Sequence, residues 1–318
     1  MGVTTGSFDL PQLYQLWPAA EQISVLGLST GTVKAVAFWA FVIAFAVKVP
    51  VFPFHTWLPD AHTEAPTAGS MILAGVLLKL GGYGFIRLVL PLFPEQAGQY
   101  AIWLAVLATL SIVLGAFGAL GQHDFKRLVA YSSINHMGFV VLAVAAAAAA
   151  ADTPQANLAM NGAVLQMVTH GLSSAGMFFL VGVIYDRTHT RDLNDYGGLY
   201  AVVPVYGSIL VFTAMASLGL PGLAGFVSEY LVFQGAWPVL MLWTALSTIG
   251  LLFTGAYILK ALKMVLFGPR NTRWVGHLNE MNLRELAVIA PLMALMLLLG
   301  FAPGWLIQLY NRAVMFWF

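Results

Sequence analysis

Five ionisable residues stand inside long apolar stretches of the sequence: Lys48, Lys79, His136, His170 and Glu229. A charge at the centre of a membrane-spanning helix costs about 2.5–3.5 kcal/mol, so such groups must be paired, hydrated or neutral. Amines, imidazoles and carboxylates all exchange protons, and an imidazole can take up a proton at one nitrogen and release it from the other. Spread over several helices, these residues predict a proton relay inside a membrane.

Three further residues are secondary candidates for this relay: His55, Lys126 and Lys260. Lys260 is read first as a charge that anchors the cytoplasmic end of its helix. We predict that His55, His62, Asp60 and Glu64 lie in one loop and line an entrance. As a metal site this group is weak, because no ligand spacing repeats elsewhere.

Static roles for the same residues stay open. Lys48 can extend its ammonium to the membrane surface, whereas Lys79 has apolar helix on both sides. The two histidines can hydrogen-bond across helices as structural contacts, and Glu229 can neutralise a lysine in a fixed ion pair.

The composition places these residues in a membrane protein. Hydrophobic residues make up 60% of the 318 positions and charged residues 8%, against about 25% charged in a soluble domain. We therefore predict an all-α fold, a polytopic transmembrane helix bundle. The absence of cysteine excludes disulfides, Fe–S clusters and thiolate metal sites, and a net charge of +1 gives no reason to expect nucleic acid. No cofactor or metal is expected in this chain.

Apolar runs long enough to cross a bilayer predict eight spans. They cover residues 32–52, 66–90, 100–121, 128–151, 157–185, 201–234, 238–267 and 285–311. Two of them are too long for one straight helix, so we expect breaks.

Basic residues collect on one side of the spans, at Lys126, Arg127, Arg187, Arg191, Arg270, Arg273 and Arg284. The positive-inside rule makes this side cytoplasmic and puts both termini outside; a bacterial inner membrane is the expected location.

Two segments interrupt the helical pattern within the membrane. One runs from Lys48 to His55 and contains Pro50 and Pro53; the other, at 218–225, contains three glycines and one proline and precedes Glu229. Proline and glycine break helices, and membranes tolerate the freed backbone groups only beside a polar cavity. Paired broken spans are typical of transport sites built on inverted repeats.

Three motifs resemble one known family. KVPVFPFHTWLPDAHTEAPTAGS at 48–70 and HDFKRLVAYSSINHMG at 123–138 are similar to the antiporter-like, proton-translocating subunits of respiratory complex I. LGLPGLAGFVSE at 218–229 resembles the branch called subunit M in bacteria and subunit 4 in mitochondria, where glutamate replaces the lysine of its relatives. The resemblance runs from about residue 5 to the C-terminus.

This resemblance implies a role for each embedded residue. Lys48 is similar to the central lysine of the broken helix in the first repeat, and Lys79 to the connecting lysine. His136 and His170 resemble the relay of the second repeat, and Glu229 its terminal residue on the exit side. The family moves protons while partner subunits, which carry NADH, FMN, Fe–S clusters and quinone, transfer electrons. The implied partners are other membrane subunits, related antiporter-like subunits and the lipid bilayer, with no nucleic acid.

Four segments follow from the resemblance. Residues 1–31 are an extramembrane loop and interfacial segment, 32–90 the C-terminal part of the first antiporter-like repeat, 91–268 the second repeat, and 269–318 a loop and final transmembrane helix. Family members have further spans that align before residue 1, so we expect a fragment or a truncated relative. Alternative functions are a subunit of a multi-chain Na+/H+ antiporter, a subunit of a membrane-bound hydrogenase, and a non-conducting scaffold.

Overall fold

The computed structural model describes residues 1–20 and 27–315, and this part of the chain is built from helices. The first six helices are α1 Gly2–Thr5, α2 Leu10–Ala19, α3 Thr30–Lys48, α4 Trp57–Glu64, α5 Thr67–Leu92 and α6 Pro94–Gln99. The next five are α7 Ala101–Leu120, α8 Phe125–Ala149, α9 Pro154–Thr188, α10 Pro204–Leu218 and α11 Ala224–Ala236. The last three are α12 Met241–Val265, α13 Leu283–Phe301 and α14 Gly304–Met315.

Within the described residues, seven helices are long and apolar enough to cross a membrane: α3, α5, α7, α8, α9, α12 and α13. The shorter helices α10 and α11 follow one another before the start of α12, and α10 is apolar but too short to be counted with these seven. The predicted polytopic all-α bundle with broken helices is therefore confirmed.

Two local predictions are wrong. The span predicted at 285–311 ends at Phe301, because Ala302 precedes Pro303 and a residue before proline disfavours helix. Of the longest predicted spans, 201–234 contains a break, whereas 238–267 is one unbroken helix, α12. The loop predicted to hold His62 is helix α4, and His62 is fully buried. Of the predicted interfacial segment 1–31, residues 21–26 lie outside the described residues.

Helix α8 is the centre of the bundle. Its most apolar window is 94% buried, whereas the corresponding windows of α3 and α13 are 22% and 17% buried. Small residues allow this close packing: a methyl group at Gly138 would lie 3.1 Å from the carbonyl oxygen of Ala108, and one at Gly115 would lie 2.8 Å from the backbone nitrogen of Asn135. Both histidines of the predicted relay lie on α8 and its neighbour α9.

Ion pairs join the loops at the basic end of the molecule. Arg187 at the end of α9 pairs with Glu285 in the first turn of α13 at 2.7 Å, and Arg191 pairs with Asp124 at 3.3 Å. An antiparallel bridge between Asp124 and Asp192 holds the same two loops together. The basic loops thus form one surface, as the charge distribution predicted.

Candidate proton relay

Lys79 lies at the middle of α5, directly after a π-helical segment, Leu73–Leu77. In that segment the backbone bonds shift register, and the nitrogen of Leu78 donates to the oxygen of Leu73, five residues back. The Lys79 ammonium donates to the carbonyl of Ala74 in the same segment. Its other partner is the Nδ1 atom of His170, 2.8 Å away. Although Lys79 is only half-buried as a residue, its ammonium therefore points inward.

The two histidines face each other inside the bundle. His170 on α9 and His136 on α8 are 3% and 2% exposed, and their ring centroids are 5.5 Å apart. Among the described residues no hydrogen bond joins the two rings directly, and a single water molecule is the kind of group that bridges such a gap. The Nε2 atom of His170 is buried without a hydrogen-bond partner among the described protein atoms.

Glu229 lies on the other side of His136 from His170. It completes a row of four side chains: Lys79, His170, His136 and Glu229. Its Oε1 atom lies 3.0 Å from His136 Nδ1, and the residue is 5% exposed. If Glu229 had a static role, the sequence suggested a fixed ion pair with a lysine; in the structure its partner is His136. The break before α11 shapes this contact, because Gly219 has a φ of +82° and an added Cβ would lie 3.0 Å from Glu229 Oε2.

Hydroxyl groups surround His136, and sequence reasoning missed them as site residues. Its Nε2 atom lies 3.4 Å from both Ser217 Oγ and Tyr257 OH, and the Tyr257 hydroxyl is 2.7 Å from Ser132 Oγ. These groups and His170 line a cavity of about 10 Å³, close to the size that holds one water molecule. The available signal was the cluster of serines beside each histidine in the sequence.

Helix α11 is fixed against α9 by close packing and by hydroxyl contacts. An added methyl at Gly162 would lie 2.6 Å from the backbone nitrogen of Val232, so the two helices touch through their backbones. Thr169 and Ser228 join them through hydroxyls 2.9 Å apart. This packing sets the position of the carboxylate of Glu229 relative to the histidines.

Lys48 is not brought into this row. It is the last residue of α3 and half-buried, and no hydrogen bond or ion pair of its side chain occurs within the described residues. Its backbone lies against α5, where an added Cβ at Gly81 would approach the Lys48 carbonyl carbon to 3.1 Å. The broken helix therefore abuts the helix of Lys79 without an observed side-chain link.

The three secondary candidates have other surroundings. The ring of His55 stacks on Phe52 at a centroid distance of 5.6 Å. Lys126 is 6% exposed and donates to the carbonyl of Ala65. Lys260 donates to the carbonyls of Leu120 and Gln122 at 2.7 and 3.0 Å, which satisfies the end of α7. None of these side chains touches the Lys79–Glu229 row.

The row joins four helices in the order Lys79, His170, His136, Glu229. Lys79 and His170, and His136 and Glu229, are within hydrogen-bond distance, and the two imidazole rings lie side by side. Amine, imidazole and carboxylate groups can all take up and release protons, so proton transfer is chemistry that this arrangement can support. Among the described residues no group of three or more histidine or acidic side chains is arranged to hold a metal ion.

Comparison with known proteins places this geometry in a family. The family model described as "NADH:quinone oxidoreductase/Mrp antiporter, TM" matches residues 4–254. Proteins named NADH-quinone oxidoreductase subunit M are similar throughout. The Rhodobacter capsulatus protein is 43% identical over 98% of this chain and 58% of its own length, and that of Escherichia coli K12 is 42% identical over 92% and 56%.

Two solved structures share the fold. Respiratory complex I from Thermus thermophilus with bound NADH contains a chain with a TM-score of 0.85 and 28% identity, matched over 99% of this chain and 63% of that one. The Mrp complex from Dietzia sp. DQ12-45-1b also has a TM-score of 0.85, at 19% identity, over 98% and 63%. This chain spans a little over half the length of the curated relatives above. It belongs to the NADH:quinone oxidoreductase/Mrp antiporter transmembrane family.

Proposed function

We propose that this chain moves protons across the membrane as part of an NADH:quinone oxidoreductase, through Lys79, His170, His136 and Glu229. The observation that carries the proposal is the row itself, which puts an amine, two imidazoles and a carboxylate in sequence inside an apolar bundle. Four ionisable groups at this depth are costly to keep. A static scaffold could be packed with apolar side chains at the same positions without that cost.

The transfer steps follow from the atoms in contact. A proton on the Lys79 ammonium passes to His170 Nδ1, its neighbour at 2.8 Å. His170 releases a proton from Nε2, and one water molecule carries it to Nε2 of His136. His136 then releases a proton from Nδ1 to the Glu229 carboxylate, 3.0 Å away. Each imidazole thus receives on one nitrogen and releases from the other.

Release from Glu229 is directed to the outer side. Helix α11 runs from the break towards the start of α9, since Gly235 packs against Ala159 near the N-terminus of that helix. Positive loops mark the opposite end as cytoplasmic. Protons therefore move from the cytoplasmic side to Lys79, laterally to Glu229, and outward along α11.

Electron transfer belongs to partner subunits in this proposal. NADH, FMN, Fe–S clusters and quinone are held elsewhere in the complex, and redox changes there alter the surroundings of Lys48 at the end of α3. Because the backbone of Lys48 abuts α5, a displacement of α3 reaches the helix that carries Lys79. The naming of the curated relatives as NADH-quinone oxidoreductase subunit M supports this assembly.

A multi-chain Na+/H+ antiporter is the second candidate. The family model covers Mrp antiporters, and the Mrp complex shares the fold. Purification of the complex from its native membrane separates the two: dehydrogenase subunits that copurify support the first proposal, and antiporter subunits the second. Hydrogenase subunits would identify the related hydrogenase complex.

The direct test replaces Lys79 or Glu229 with alanine in the complete complex. NADH-driven acidification of membrane vesicles is measured beside the quantity of assembled complex. We expect assembly to persist and proton pumping to fall sharply. If both variants pump with normal stoichiometry, the relay assignment is wrong; loss of flux with assembly intact excludes the non-conducting scaffold.

A further inference from the structure

His62 on α4 is a buried polar side chain without a visible reason to be polar. It is 0% exposed, and neither ring nitrogen has a hydrogen-bond partner among the described protein atoms. A buried polar group without a partner costs about 1–3 kcal/mol. Its ring stacks on Phe178 with centroids 4.3 Å apart and planes 17° from parallel. A phenylalanine would make the same stack without that cost, so packing does not explain the histidine.

The position of His62 lies between the cytoplasmic surface and Lys79. The next two residues of α4, Thr63 and Glu64, line a cleft of about 320 Å³ at the basic end of the molecule, together with Lys126. The ring lies close enough to Lys126, which lines the cleft, and to Lys79 and His170 for their charges to interact.

A buried polar face continues from His62 towards Lys79. Ser70, also 0% exposed, donates its hydroxyl to the His62 carbonyl at 3.1 Å. Ala74 lies four residues further along α5, on the same face, and its carbonyl accepts from the Lys79 ammonium. No hydrogen-bonded side chain in the described structure links Lys79 directly to the cytoplasmic cleft. Something must supply Lys79 with protons if the relay turns over.

We propose that His62 is the proton-carrying residue that takes protons from the cytoplasmic cleft and delivers them to Lys79. The inference rests on the proposed function, since it names the step that loads the relay. The imidazole gains a proton from the cleft at one nitrogen and loses one from the other nitrogen to the neutral amine of Lys79. The ring returns to its neutral state after a flip or a second exchange, and the net result is one proton moved.

The variant His62→Phe tests this step, because it keeps the stack on Phe178 and removes only the exchangeable nitrogens. It is prepared in the complete complex beside Lys79→Met and His123→Gln, the last being an exposed histidine at the same end of the molecule. NADH oxidation, the rate of proton translocation into vesicles and the thermal midpoint of the complex are measured for each. We expect His62→Phe to keep or raise the thermal midpoint while translocation falls about ten-fold or more. His123→Gln should behave as the unmodified protein.

The outcomes separate the two proposals. Normal translocation in Lys79→Met overturns the proposed function itself. Blocked translocation in Lys79→Met with normal rates in His62→Phe overturns only the role of His62. If His62→Phe does not assemble, His62→Gln replaces it: an assembled complex that does not pump supports the proposal, and one that pumps normally overturns it. Failure of both to assemble would give His62 a structural role and also overturn it.

Discussion

At the scale of single residues, the proposed proton transfer depends on the partners of each imidazole ring. His136 has Glu229 on Nδ1 and two hydroxyls near Nε2, so both nitrogens face groups that exchange protons or hydrogen bonds. His170 has Lys79 on one nitrogen and a small water-sized cavity beside its ring. A proton can therefore pass through either ring without the ring leaving its packed position.

Glu229→Gln removes the exchangeable proton site and keeps the shape of the side chain. The amide can still bond to His136 Nδ1, so we expect the complex to assemble. Proton translocation should fall about ten-fold or more, because an amide neither takes up nor releases a proton near neutral pH. The measurement is NADH-driven acidification of vesicles, with the exposed Glu95→Gln as the matched control. Equal rates in the two variants would contradict a relay role for Glu229.

Tyr257→Phe tests the hydroxyl beside His136. Tyr257 is 0% exposed, and loss of its hydroxyl leaves Ser132 without that partner, at a cost of about 1 kcal/mol. We expect intact assembly and slower translocation, because Nε2 of His136 then has fewer groups to order the bridging water. The same vesicle assay measures the effect. An unchanged rate would restrict Tyr257 to packing.

The sequence alone identified the embedded residues but did not predict their order in space. Lys79, His136, His170 and Glu229 stand out because charge and imidazole are rare in apolar runs. The placement of His170 between Lys79 and His136 depends on how α5, α8 and α9 turn against one another, which no local pattern encodes. Tyr257 was missed because a tyrosine in an apolar span is common. The roles of these residues, including Lys48, remain predictions.

At the scale of elements, breaks in regular helix place the charged groups. The π segment before Lys79 turns a carbonyl towards its ammonium, and the break at 219–223 precedes α11, whose Glu229 lies beside His136. Proline and glycine revealed the second break in the sequence. The π segment has no such signal, since Leu73–Leu77 reads as ordinary apolar helix.

Gly219→Ala and Gly276→Ala form a matched pair for this element. Both glycines have positive φ, +82° and +78°, so alanine costs about 1–2 kcal/mol at either site. Only at Gly219 does the new methyl also meet Glu229, whereas nothing lies within 4 Å at Gly276. We expect both variants to lower the thermal midpoint and only Gly219→Ala to slow proton translocation. Equal translocation rates in the two variants would show that the break before α11 does not determine the position of the Glu229 carboxylate.

Arg187→Met tests the clamp between α9 and α13. Arg187 donates to both carboxylate oxygens of Glu285, at 2.9 and 2.7 Å, and both side chains are 17% exposed. Loss of these bonds should cost about 1.5–3 kcal/mol. Arg127→Met, which breaks an exposed pair with Asp60 at 39% and 70% exposure, should cost little. Thermal unfolding in detergent compares the two variants. Similar midpoints would contradict a stabilising role for the pair between Arg187 and Glu285.

At the scale of the whole molecule, the bundle is arranged around α8, and the row from Lys79 to Glu229 crosses it sideways. The most buried helix carries His136, while the poorly buried α3 and α13 face outward. Composition and span length predicted this architecture, because a chain with 8% charged residues cannot cover itself in water. They did not predict that the last span ends at Phe301, since the apolar pattern continues past the proline.

Proton translocation by Lys79→Met in the complete complex is the most direct test of the central claim. The control is Lys34→Met, a buried lysine outside the row, 7% exposed, whose ammonium donates to the carbonyl of Pro18 at 2.7 Å among the described residues. The account predicts that vesicles with assembled Lys79→Met complex acidify at least about ten-fold more slowly on addition of NADH, while Lys34→Met vesicles acidify normally. Normal acidification by the Lys79→Met complex would contradict it.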